Sequence, residues 1–374
     1  MNRKIIYLFL NLILISFALS NCKKKKEITF AEDIAPIIHA NCTPCHRPGE
    51  AGPFPLISYE DVSKRTKMIK LVTSTRYMPP WPADKHYQQY ANEKGLTDNE
   101  INLIGEWIEN GAPLGDSTKL TAPPTFPDGS ELGKPDLVIR MRDSFHIKGN
   151  NTDHFLVMKL PYEIDRDRYV KTIEFVPGNR KVLHHMNAHL IQYDENKKEN
   201  VFDGEMAVDN EKFTSTEYHK KLGLLHDDGT YPAMITSVAN YLPGTSALVY
   251  PDGIGGYKFP KKGALYLNSL HYGPTPVDEY DQSYFNIFFT EEPPKRPLRE
   301  VIMGTLGVSK VVPPLVIPPN EIKKFITQLQ LNQDISLLTI NPHMHLLGKS
   351  FLAYAIISGG DTIPLIKIDD WNFR

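Results

Sequence analysis

A chain of 374 residues with 41% apolar and 10% aromatic side chains has enough apolar surface for two or three domains with real cores, which excludes a disordered or minimal chain. The formal charge is −2, and no basic helix or interleaved basic and aromatic stretch appears, which argues against a nucleic-acid partner. Thirty prolines and 24 glycines favour short strands and turns over long helices.

The first element is a targeting segment. Asn2-Arg3-Lys4 is basic, and Ile5 to Ala18 is apolar apart from Asn11 and Ser16, too short for a comfortable membrane span. Followed by Leu19-Ser20-Asn21-Cys22, it resembles a bacterial lipoprotein signal: residues 1–21 are removed, Cys22 carries the lipid, and residues 22–30 are a tether. Asn21 departs from the small residue usual before that cysteine, and an ordinary signal peptide or an uncleaved anchor is the alternative. Removing Arg3 and Lys4 takes the formal charge from −2 to −4, and Lys23 to Lys26 then lie beside anionic headgroups. The expected location is the bacterial cell envelope: exported, lipid-anchored to the membrane and facing the periplasm.

Cysteine occurs only at Cys22, Cys42 and Cys45, so nothing after Cys45 can form a disulfide. Residues 42–46 read C-x-x-C-H, the attachment site of a c-type haem: two thiols add to the vinyl groups, and His46 is placed under the iron. A redox C-x-x-C or half a zinc site are the other readings, but there is no second C-x-x-C and no βαβ pattern around the motif. Phe30 to His46 has the apolar spacing of a short helix, with Ile34, Ile37 and Ile38 on one side, and Ser58 to Ser74 is a second helical stretch. Thr97-Asp98-Asn99-Glu100 is a capping box opening a helix with Ile101, Ile104, Trp107 and Ile108 on one face, which stops at Asn110-Gly111. Residues 31–117 therefore read as a small all-α cytochrome. Its sixth iron ligand falls in Tyr77-Met78-Pro79-Pro80-Trp81, where the prolines hold a non-helical backbone that presents the Met78 thioether. Met68, mid-helix and read as core, and His86 are the competitors.

Residues 118–136 are a Pro- and Gly-rich linker. Beyond them Leu137–Ile139, Phe155–Leu160 and Tyr169–Phe175 alternate in the manner of β-sandwich strands. Residues 192–230 are polar and read as a long loop or insertion, and Glu291-Glu292-Pro293-Pro294 is a second breakpoint. This divides the remainder into domains 137–294 and 295–374.

Histidine is concentrated in three stretches. Lys181 to Leu190 reads KVLHHMNAHL, Leu270 to Gly273 reads LHYG, and His343 to Lys349 reads HMHLLGK. On a strand, His343 and His345 share a face, whereas adjacent His184 and His185 converge only at a strand end or bulge. Imidazoles suit copper, zinc, iron or nickel, and spacing does not choose among them. In this order, P-G-N-x-x-x-L-H-H-M (Pro177 to Met186), L-H-Y-G and H-x-H-L-x-G-K resemble the copper type II, ascorbate-dependent monooxygenases, the family of peptidylglycine α-hydroxylating and dopamine β-monooxygenases. The resemblance covers roughly 137–374, and bacterial relatives with an N-terminal cytochrome segment are closest in layout.

The resemblance implies a multidomain fold, a small all-α c-type cytochrome followed by all-β tandem sandwiches, the second incomplete. It implies two copper ions. His184, His185 and His271 would hold an electron-relay copper; His343 and His345, with a later Met, would hold the oxygen-binding copper and carry the catalysis. His189 is set aside, because four residues along a strand carries it about 13 Å away. These domains lack the family's cysteines, and no Met follows Met344, so the chain reads as a piece of a longer protein. The implied function is hydroxylation of a C–H bond with O2. Covalent haem c would feed electrons to the coppers, with ascorbate or another reductant as source. The substrate would be a small or peptide-like molecule, and a redox partner protein would fit this scheme. A lipid-anchored electron-transfer or metal-binding protein without catalysis is the alternative.

Overall fold

The computed structural model describes residues 26–372 except Asp128, Asp252 and Leu306; the expected signal and Cys22 lie outside the described residues. The chain divides into two compact units, Met1–Cys42 with Leu56–Pro124, and Thr43–Pro55 with Thr125–Arg374.

In the first unit a single π-helical turn, Phe30–Ile34, runs into α1 (Ala35–Asn41). Three more helices follow: α2 (Tyr59–Ser63), α3 (Thr66–Ser74) and α4 (Asp98–Glu109). Capping boxes start α2 and α4. The Ser58 hydroxyl accepts from the Asp61 N–H and the Asp61 carboxylate from the Ser58 N–H, at 3.2 and 3.0 Å. Thr97 and Glu100 do the same at 3.2 and 2.7 Å. Each box satisfies N–H groups that the first helical turn leaves open. Among the described residues no helix is long and apolar enough to cross a membrane.

The second unit carries β1 (Leu137–Arg140), β2 (Phe145–Ile147), β3 (His154–Glu163), β4 (Arg168–Val176), β5 (Leu183–Gln192) and β6 (Ala207–Asp209). A helix, α5 (Ser215–Lys221), precedes β7 (Ala233–Tyr241), β8 (Lys258–Phe259), β9 (Lys262–Tyr272), β10 (Glu279–Asp281) and β11 (Tyr284–Thr290). The sheet orders are β1-β11-β4-β8 and β6-β3-β9-β5-β7, with every neighbour antiparallel. Met158, Leu160, Leu190, Leu265 and Leu267 from one sheet share a core with Ile139, Ile173, Phe285 and Ile287 from the other. Full burial of each such side chain stabilises by about 1.5–3 kcal/mol.

The polar stretch read as a loop is a packed layer. Val201, Val208, Leu222 and Leu224 form a second core with Val157, Ile191, Ala264 and Tyr266, the residues alternating with those of the first core on β3, β5 and β9. The sheet is thus covered on both faces, so burial along β3 and β9 runs nearly continuous rather than alternating. The Lys159 ammonium donates to the carbonyls of Asp203 and Gly223 at 2.8 and 2.9 Å, fixing the layer to β3.

The expected fold class is corrected. The chain is mostly β, 26% strand against 14% helix, built on a curled antiparallel sheet, and no small all-α cytochrome domain is evident among the described residues. The helix expected to run to His46 stops at Asn41, with Cys42 as its cap. Pro44 disfavours helical backbone at Thr43, so the C-x-x-C-H residues past the cap lie in turns. The stretch 58–74 is two short helices, and Met68 is 52% exposed rather than core. The expected second sandwich is also corrected. Residues 295–372 contain two separate two-stranded ribbons, β12 (Val311–Val312) with β13 (Ile326–Thr327), and β14 (Phe351–Ile356) with β15 (Thr362–Ile368). A ribbon with no facing sheet leaves one side open, and Leu352, Tyr354 and Ile356 of β14 are exposed.

These environments set opposite expectations for two leucines. Leu265→Ala empties a fully buried site and should lower the unfolding free energy by about 2–5 kcal/mol, whereas Leu352→Ala should change it by under about 0.5 kcal/mol, both read by urea denaturation.

Candidate metal centre

The second unit brings His184, His185 and His271 together through irregular pairing of β5 and β9. Leu183 lies opposite Tyr272 and His185 opposite His271, so His184 is an extra residue on β5. A further shift separates that pair from Asn187 opposite Asn268, with Ser269 in the left-handed region at φ 58°. A bulge of this kind turns adjacent side chains toward one side, which regular alternation forbids.

One nitrogen from each imidazole lies within 4.8 Å of the others. Nδ1 of His185 and Nδ1 of His271 are 3.4 Å apart. Two nitrogens each ~2.0–2.1 Å from one tetrahedral metal would be separated by roughly 3.4 Å, so this pair fits an edge of such a site. The His184 and His185 ring centroids are each 4.9 Å from that of His271. His184 is exposed, His185 half-buried and His271 buried, so the cluster opens to solvent on one side. Burial, then the neighbouring His271 and His184, push His185 down to about 4. Burial and His271 likewise lower His184, against the pull of Asp153. Both are therefore neutral near pH 7, the form in which imidazole donates a lone pair.

Asp281, which is 1% exposed, positions both ligand-bearing segments. Its carboxylate accepts from the Tyr272 hydroxyl at 2.6 Å, the Asn179 N–H at 2.8 Å and the Ser283 hydroxyl at 2.7 Å. Tyr272 follows His271, and Asn179 leads into His184. Gly178 packs so tightly on this segment that a Cβ would lie 2.6 Å from Asp281 Oδ1 and Gln282 N. His189 is elsewhere: its Nδ1 accepts from the Ser237 N–H at 3.1 Å, where β7 bulges and Ser237 takes φ 49°. It anchors that bulge rather than joining the cluster.

His343 and His345 also meet, with Nε2 atoms 3.2 Å apart and rings at 89°. They do so on irregular backbone leading to a turn, not on the regular strand that their spacing predicts. The charge that His343 can carry is near enough to depress His185. Burial and His345 lower His343 in turn.

The haem-motif residues divide between the units: Cys42 caps α1 in the first, and Cys45 and His46 lie in the second. Cys42 and Cys45 are not joined in a disulfide. His46 Nδ1 donates to the Phe54 carbonyl at 3.1 Å, and a Cβ on Gly52 would be 2.8 Å from that nitrogen. Within the second unit Arg47 lies 3.6 Å from the centre of the Phe126 ring, and Glu50 pairs with Arg180 at 3.5 Å. Met78 belongs to the first unit, where it lines a cavity of about 20 Å³ with Trp81, Leu96 and Ile101, and His86 is exposed.

Comparisons with protein-family models, curated proteins and solved structures give no match. Sequence reasoning missed Asp153, Phe155 and Asp281. Nothing in their local pattern marks them, because each reaches the site only through strand register.

Asp281→Ala would strand three donors in a buried site and should cost at least about 3 kcal/mol in unfolding free energy, checked by urea denaturation. Calorimetric copper titration should find binding at the three-histidine site lost in His271→Ala and kept in His189→Ala.

Proposed function

We propose that this chain is a copper-dependent oxidoreductase, a monooxygenase that places one atom of O2 in a C–H bond. The observation that carries the reading is the convergence of His184, His185 and His271 beside a second imidazole pair. His184, His185 and His271 would hold a relay copper, and His343 and His345 would give two donors to an oxygen-binding copper. The ordered likeness of the three histidine stretches to the copper type II monooxygenases supports copper over zinc, iron or nickel. When bound, copper would supply one-electron chemistry and a place for O2.

The protein's own part is to hold neutral imidazoles in a fixed set. Bulged β5 turns both neighbours toward one side, and Asp281 ties their approach to the end of β9. The open side at His184 gives access to solvent and to a reductant such as ascorbate. Haem c on Cys42, Cys45 and His46 is part of the proposal and would supply a tethered one-electron carrier. It is supported by the C-x-x-C-H spacing and by an imidazole whose Nδ1–H is engaged by a carbonyl, leaving the Nε2 lone pair for iron. Export and a lipid anchor at Cys22 rest on the sequence, and the substrate class stays a small or peptide-like molecule.

Metal analysis of the purified protein should find two coppers per chain. With ascorbate and a panel of peptide-like and small C–H substrates, O2 uptake should require substrate. His343→Ala should abolish that uptake while keeping one copper. Haem without copper would instead support the non-catalytic electron carrier and sink the monooxygenase reading.

A further inference from the structure

His271 is held from two directions, by Phe155 on β3 and by Asp153 just before that strand. The ring of Phe155, its partner across the sheet, stacks on it with centroids 4.3 Å apart and planes 14° from parallel. Asp153, two residues earlier and so on the same side of the chain, places Oδ1 2.7 Å from His271 Nε2. The stack fixes the plane of the ring, and the carboxylate fixes its rotation within that plane.

The chemistry of the contact sets the tautomer. An ionised carboxylate can only accept, so His271 Nε2 carries the hydrogen and Nδ1 carries the lone pair. That lone pair faces His185 Nδ1 at 3.4 Å, which is long for an N–H···N bond and suits a shared cation. Carboxylates in this position orient metal-bound histidines and raise their basicity. We propose that Asp153 is a positioning residue of the metal centre, holding His271 so that Nδ1 is the donor presented to the metal.

The inference rests on the reading of His184, His185 and His271 as metal ligands, and its test separates the two. Asp153 is half-exposed, so its replacement leaves the two-sheet core intact. Asp153→Asn keeps an oxygen that can accept from Nε2 and loses only the charge; Asp153→Ala loses both. The full chain is titrated with Cu(II) and with Zn(II), and the His271 tautomer in the metal-free protein is read from imidazole 15N chemical shifts.

Wild type should bind both metals and show the Nε2–H form at His271. Asp153→Ala should weaken binding about 10–100-fold and mix the tautomers, with the melting temperature unchanged. Asp153→Asn should recover the tautomer and most of the affinity, which a merely structural role would not predict. Equal affinity and an unchanged tautomer in Asp153→Ala would overturn the role of Asp153 and leave the metal site standing. Failure of the wild-type chain to bind either metal would overturn the site itself.

Discussion

The buried carboxylate of Asp281 accepts hydrogen bonds from Tyr272, Asn179 and Ser283, and thereby joins the 272–283 segment to Asn179, which lies 102 residues before Asp281 in sequence. A charge this deeply buried costs several kcal/mol unless its lone pairs are filled, so folding has to bring all three donors to it. Once they arrive, the end of β9 carrying His271 and the turn leading into β5 have no freedom to slide. Gly178, with no room for a Cβ, closes the same junction from the other side. The histidine cluster is a consequence of that lock: register opposes His185 to His271, and the bulge adds His184.

Strand irregularity on β5 and β7 has two uses for the histidines of one ten-residue stretch. At His184 it gathers two neighbouring side chains on one side. At Ser237 it provides an N–H that His189 accepts, so the third histidine of KVLHHMNAHL is consumed by backbone structure. Three similar residues thus have three environments: exposed, half-buried in a cluster, and buried against a bulge. The outer layer at 194–231 contributes rigidity to the same sheet, because its apolar residues and the Lys159 ammonium close the face opposite the main core.

Local pattern made some of this legible. The Thr97 capping box marks the start of α4, and alternation finds the strands at Leu137, Phe155 and Tyr169. The demand that His184 and His185 leave regular strand geometry could be argued from adjacency alone. Other features depend on contacts that no local pattern carries. Helical spacing before Cys42 suggests a helix through His46, yet Pro44 ends it early, and the all-α cytochrome expected around it is not evident among the described residues. The polar 192–230 stretch hides four buried aliphatic side chains because they follow no period. The family resemblance implies an incomplete second sandwich in 295–374, but the described residues there form only two separate two-stranded ribbons. Asp153 and Asp281 look like any other aspartates until the register of β3, β9 and β10 puts them beside His271 and Tyr272.

The central claim is that His184, His185 and His271 are ligands of one metal ion. X-ray absorption at the copper edge, on the copper-loaded protein with His343 and His345 both replaced by alanine, isolates that site. The account predicts one copper per chain with three imidazoles in its coordination shell; an absence of bound copper, or a copper with fewer than two imidazoles, would contradict it.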